Sequence, residues 1–151
     1  MKPLHLFALT SVAVLTLISP AHAADPSDTR QAVVLTPREY SFLLSEMRGH
    51  LDAIGIAQQA LSTGDMETAR QAMLERGTAR LKSPPPGRPP SFAHKIPDAW
   101  RALASGMHQS YDSVAEGIAD KETAPQLMGR MAKLMRNCAG CHASYRLIAA
   151  P

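Results

Sequence analysis

The amino-acid sequence predicts an all-α protein, built as an up-down-up-down antiparallel four-helix bundle. Three observations carry that prediction. Four stretches repeat apolar residues at the spacing of one helix face, and no stretch makes a convincing strand. The breaks between the four are two short turns on either side of one proline-rich crossover, and short first and third connections favour antiparallel neighbours.

The chain opens with Met1-Lys2, an apolar run from Leu4 to Ile18 and the small-x-small pattern Ala21-His22-Ala23. Residues 1–23 are therefore expected to be a secretory signal peptide, cleaved near Ala23. The run falls short of the about 20 residues that span a bilayer, so the mature chain is expected to have no membrane span. Residues 24–151 suit a single domain with one core.

Ala24 to Leu35 shows no clear period and is expected to be a lead-in. Thr36-Pro37 then opens the first helix, with Thr36 as N-cap, Pro37 in the first helical position and Glu39 three residues after the cap. Tyr40, Leu44, Met47, Leu51 and Ile54 mark its inward face, and Ser62-Thr63-Gly64-Asp65 ends it. A second helix is expected from about Met66 to Leu81, carrying Ala69, Ala72, Met73 and Leu81 and weakened by Gly77. Residues 83–97 form the crossover. Ser83-Pro84-Pro85-Pro86-Gly87-Arg88-Pro89-Pro90 within it cannot be helix or central strand, because proline fixes φ and removes a donor. The third helix begins at Pro97 with Trp100, Leu103, Met107, Tyr111, Val114 and Ile118 on one face. After the turn Ala119–Glu122, the fourth starts at Thr123 and turns Leu127, Met131, Leu134, Met135, Cys138 and Cys141 inward.

Sixteen Lys and Arg against 13 Asp and Glu, with Lys2 in the leader, is too weak a positive balance to imply nucleic acid. The charge is uneven, however. Lys121, Arg130, Lys133, Arg136 and Arg146 crowd the last segment with only Glu122 opposing them, either as a solvated helix face or as a basic rim for an acidic partner.

Cys138-Ala139-Gly140-Cys141-His142 carries the chemistry. It reads as a c-type haem attachment site: two thiols three residues apart can form thioethers to two vinyl groups on one haem edge, and the adjacent imidazole can bind the iron. One haem c, held by Cys138 and Cys141 with His142 as proximal axial ligand, is thus expected in the core. A structural zinc site would need further ligands, and these are the only two cysteines. A thioredoxin-like pair would not require His142 and would normally sit beside a βαβ pattern. Covalent haem is attached after export in bacteria, so leader and motif together point to the periplasm. Two cysteines used this way leave no disulfide framework.

The segment Cys138-Ala-Gly-Cys141-His142-Ala-Ser-Tyr145-Arg146 resembles the C-terminal signature of the cytochrome c′ family, the class II c-type cytochromes, including their low-spin methionine-ligated relatives. Pro97-Asp98-Ala99-Trp100 resembles the opening of that family's third helix. The resemblance implies the cytochrome c′ bundle, often a homodimer through its first two helices, with Arg146 on the proximal side near His142. Matching Met47-Arg48-Gly49-His50-Leu51 to the family places Leu44 at the distal position. Leucine there implies five-coordinate iron, and methionine there makes the low-spin relatives six-coordinate. This chain instead has Met47 almost one turn further along the same face, as a possible sixth ligand or as plain core packing. It also has Tyr40 where many members carry an arginine for a haem propionate, with Arg38 two residues earlier.

His50 and His108 fall on or beside inward faces and are expected to be hydrogen-bonded core or boundary residues, while His94 is expected to be exposed in the connector. Tyr111-Asp112 beside His108 is suggestive, but no nucleophile–base arrangement can be placed in one site from the sequence. Two functions follow. One is a periplasmic haem-iron electron carrier, not an enzyme, working with periplasmic redox partner proteins alone or as a subunit of a larger oxidoreductase. The other is a five-coordinate haem protein that binds NO or CO in an apolar pocket lined by Leu44 and Leu51.

Overall fold

The computed structural model describes residues 27–83 and 85–151, so the expected leader lies outside the described residues. The fold is predominantly helical. A short strand β1 (Gln31–Leu35) leads into α1 (Pro37–Thr63), followed by α2 (Met66–Leu74), α3 (Ala79–Lys82), α4 (Phe92–Lys95), α5 (Asp98–Ala119), α6 (Ala124–Ser144) and a closing strand β2 (Tyr145–Ala149).

Local chemistry sets the bounds of α1. Thr36 is extended at ψ 159° and its hydroxyl accepts from the Glu39 amide, while the Glu39 carboxylate accepts from the Thr36 amide at 2.9 Å. At the other end Gly64 takes φ 78°, the left-handed region where a side chain would strain, and the Asp65 amide donates to the Ala60 carbonyl at 2.9 Å. Asp65 then caps α2 by accepting from the Thr68 amide at 3.0 Å. The second helix stops at Leu74, short of the expected Leu81. Gly77 is buried against Asp112, and a methyl group there would collide with that carboxylate. Asp112 accepts from the Thr78 amide at 2.9 Å and the Thr78 hydroxyl at 2.6 Å, and α3 continues as a separate turn with Leu81 exposed.

The long helices pack in chain order: α1 against α2, α2 against α5, and α5 against α6. Glu46 opposite Arg80 of α3 and Gly49 opposite Arg76, in the turn before it, show the chain beyond α2 running back along α1. Arg130 reaching Ser113 and Asn137 reaching Ser110 make α5 and α6 antiparallel. Their apolar faces form one core from Ala57, Met73, Tyr111, Val114 and Leu134, all excluded from solvent. A second cluster, at the end where α6 finishes, gathers Val33, Leu35, Leu43, Ile96, Trp100 and Tyr145.

Two features depart from the expected fold. The lead-in and the chain after α6 form a two-stranded parallel sheet, in register from Gln31 opposite Tyr145 to Leu35 opposite Ala149. Val33 and Leu35 turn into the second cluster while Val34 between them is exposed, an alternation too short to stand out in the sequence. The crossover, expected to lack helix only over its prolines, also contains α4, which is tied to α1 by Glu39.

Glu39 is shut off from solvent yet has four donors: the Thr36 amide and hydroxyl, Ser91 at 2.6 Å and Lys95 at 2.7 Å. Lys95 first, then Ser91 and Thr36, hold its carboxyl down at about 2, against 4.5 for a free glutamate. A carboxyl depressed on folding stabilises the fold above the unfolded value and loses that contribution as pH falls toward the folded one. Stability is thus expected to decline between about pH 5 and pH 2. In a thermal-melt series across that range, Glu39→Gln should start with a lower melting temperature at neutral pH and show a shallower acid decline than wild type.

Candidate functional site

Cys138 and Cys141 lie on the side of α6 that also carries Leu127, Met131 and Leu134, the buried residues of that helix. Three residues of helix place the two thiols about 4.5 Å apart along the axis. Both are half-buried, and Cys141 packs against the cluster of Leu43, Trp100 and Tyr145, to which Met47 of α1 also belongs. Burial raises both thiols above their ordinary pKa, and for Cys141 the neighbouring Cys138 adds to the effect. They are therefore neutral at physiological pH, not reactive thiolates. Among the described residues no group of three or more His, Cys, Asp or Glu side chains is placed to hold a metal ion.

His142 follows on the exposed edge of the same helix, and among the described residues its imidazole makes no hydrogen bond. Its carbonyl accepts from Arg30 at 3.3 Å, and Arg30 is held by Asp28 through a 2.8 Å ion pair. Arg146, on β2, brings its Nε to 3.7 Å from the same Asp28 carboxylate, buried and without a hydrogen-bond partner. The sequence reading placed Arg146 near His142 but missed Asp28 and Arg30, which reach the motif only through the β1–β2 pairing.

Opposite these residues stands an apolar wall on α1. Glu46 and Gly49 face Arg80 and Arg76 on one side of α1, and a rotation of about 100° per residue puts Leu44, Met47 and Leu51 on its other side. Likewise α6 meets α5 through Arg130 and Asn137, and Met128, Met135 and His142 lie on its far side. Leu51 is 62% exposed, Met128 55% and Met135 43%. The inward positions expected for Leu51 and Met135 are thus corrected: both are exposed, along a seam where α1 and α6 approach each other less closely than the neighbouring helix pairs do. Counting from the end with the strands, Leu44 and Met47 lie about 10 and 15 Å down α1, and Cys138 and Met135 about 9 and 14 Å down α6. Cys138 therefore occurs at the level of Leu44 and Met135 at that of Met47, and the thiols, the His142 imidazole and these apolar side chains fit an edge-bound, largely apolar macrocycle.

Deeper in, His50 packs against His108 and Tyr111, each at a ring separation of 5.3 Å. The Tyr111 hydroxyl donates to the His50 carbonyl at 2.8 Å, and His108 Nδ1 lies 2.6 Å from the Arg76 carbonyl. Burial, then the neighbouring His108, pushes His50 down to about 3, so it stays neutral. Asp112 is taken by Thr78 and makes no hydrogen bond to His108, which removes the suggested Tyr111-Asp112-His108 grouping. His94 is exposed, as expected.

Of the expected basic rim, Arg130 turns inward to Glu122 and Ser113, while Lys133 and Arg136 remain exposed. Among the described residues no helix is long and apolar enough to cross a membrane. No family model, no curated protein and no solved structure matches the chain.

Proposed function

We propose that this chain is an exported c-type cytochrome of the cytochrome c′ kind: an antiparallel bundle of α1, α2, α5 and α6 carrying one haem c and working as a periplasmic electron carrier. The observation that carries the reading is the pairing of two half-buried thiols and His142 on α6 with an apolar face of α1 on which Leu51 is exposed and Met47 packs into the same cluster as Cys141. When bound, the haem supplies a one-electron ferric–ferrous couple.

The chain's own residues do the rest. Cys138 and Cys141 would hold the group through thioethers, and His142 would offer its imidazole to the iron. Leu44 and Leu51 keep water from the facing side, and Met47 offers a thioether from the same wall that Cys141 packs toward. Leu44, Met47 and Leu51 bring no acid or base, so the wall suits electron transfer rather than proton-coupled catalysis. A methionine–histidine pair raises the potential, and saturated coordination changes little on reduction. A second reading draws on Leu44, which stands at the same level as Cys138: if Met47 serves only as packing, an apolar face with a vacant axial position admits NO or CO and disfavours anions.

Absorption spectra of the purified holoprotein, oxidised, reduced with dithionite, and reduced with CO, separate the two. The carrier reading expects sharp split bands on reduction, no response to CO, and a CO response gained in Met47→Ala. A wild-type high-spin spectrum that shifts at once with CO would give first place to the gas-binding reading and leave Met47 as packing.

A further inference from the structure

We propose that the open trench between α5 and α6 is the docking site for an acidic segment of a partner protein. The trench encloses about 550 Å³ and runs from Leu103 to Ser113 on α5, about 15 Å of helix. Its α5 wall is built from Gly106, Ser110 and Ser113, whose small side chains leave it open. Its α6 wall presents Arg130, Lys133 and Arg136, and α6 contains no Asp or Glu at all. The Arg130 charge is already answered, since Nε donates to Glu122 at 2.7 Å and Nη1 to Ser113 at 2.6 Å. Lys133 and Arg136 are exposed and make no ion pair among the described residues, so the trench offers two uncompensated cations one turn apart.

That arrangement selects the occupant. The cations are spread along a trench far longer than a phosphate, and of its other polar side chains Asn137 and Ser110 are turned to each other, Asn137 donating to Ser110 at 3.0 Å and Ser110 to the Gly106 carbonyl at 2.8 Å, while Gln109 is exposed. A compact oxyanion would need donors that converge, and these do not. An extended peptide with carboxylates at successive positions matches both length and charge, and such complementarity acts on encounter rate and orientation. Asn137, in the trench lining, directly precedes Cys138, so the trench and the thiol pair share one stretch of α6. The proposal rests on the electron-transfer reading for the partner's role as donor or acceptor, but not for the binding itself.

The test titrates the full-length purified protein into fluorescein-labelled hexaglutamate and reads anisotropy at low ionic strength. Wild type is expected to bind, and Lys133→Glu with Arg136→Glu to weaken binding by about tenfold or more. Gly106→Gln, which fills the trench without changing charge, should weaken it as well. Lys82→Glu with Arg88→Glu, an equal charge change on residues that do not line the trench, should weaken it clearly less. No binding by wild type, equal losses in the two charge-reversed proteins, full binding by the filled trench, or displacement of the peptide by inorganic phosphate at matched ionic strength would each overturn the proposal. Haem is scored on the same samples by gel staining. Haem-loaded protein that ignores the peptide counts against the docking site alone, and haem-free protein that binds it counts against the cytochrome reading alone.

Discussion

Replacing Cys138 and Cys141 together with alanine is expected to abolish covalent haem. Both side chains sit half-buried on the inward side of α6, so alanine fits sterically and the loss is chemical. The second effect is on stability. Leu51, Met128 and Met135 are more than two-fifths exposed along the α1–α6 seam, and a group that covers them contributes about 25 cal/mol per Å² of apolar surface removed from water. Losing that cover should lower the melting temperature by on the order of 10 °C or more, because a ligand that binds only the folded state stabilises it. Helix content should largely survive, since the core of Ala57, Met73, Tyr111 and Leu134 needs nothing from the seam. Acid–acetone extraction, circular dichroism and thermal melting check all three. Colour that stays with the doubly substituted protein would end the attachment assignment.

His142→Ala is expected to separate attachment from ligation. The thioether-forming residues are untouched, so haem should remain on the chain at wild-type stoichiometry, while its spectrum and midpoint potential change. Because His142 lies on an exposed edge and its ring makes no hydrogen bond among the described residues, the substitution opens space to solvent and leaves no buried partner orphaned. Added imidazole should therefore restore a spectrum close to wild type, a rescue that a merely structural role would not show. A variant spectrum identical to wild type would remove His142 from the iron.

What could be read from the chain in advance was what short-range chemistry decides. Thr36, Pro37 and Glu39 lie within one turn, and their reciprocal cap forms as expected. Gly64 ends α1 because only the backbone at that position has to turn left-handed. The end of α2 was not legible, because Gly77 and Thr78 answer to Asp112, 34 residues later in the Thr78 bond. Nor was the small sheet, whose strands are more than a hundred residues apart and five residues long. In the site, the spacing of Cys138, Cys141 and His142 is local and was plain, whereas Asp28 and Arg30 come to His142 only through that distant pairing. Apolar periodicity marked Leu51 and Met135 as residues to be covered, and it could not show that no helix of the chain covers them closely.

The parallel sense of β1 and β2 also has a mechanical side. Tension entering before Gln31 and leaving after Ala149 pulls the two strands in opposite directions along one axis. Their five residue pairs then share the load in shear and must give way together, where an antiparallel hairpin pulled from its open end would unzip bond by bond. Everything from Thr36 to Ser144, the thiol pair included, lies inside the loop that this clasp closes and feels no force until it slips. A force spectrum from handles at the two ends should therefore begin with a single abrupt rupture before any helix extends.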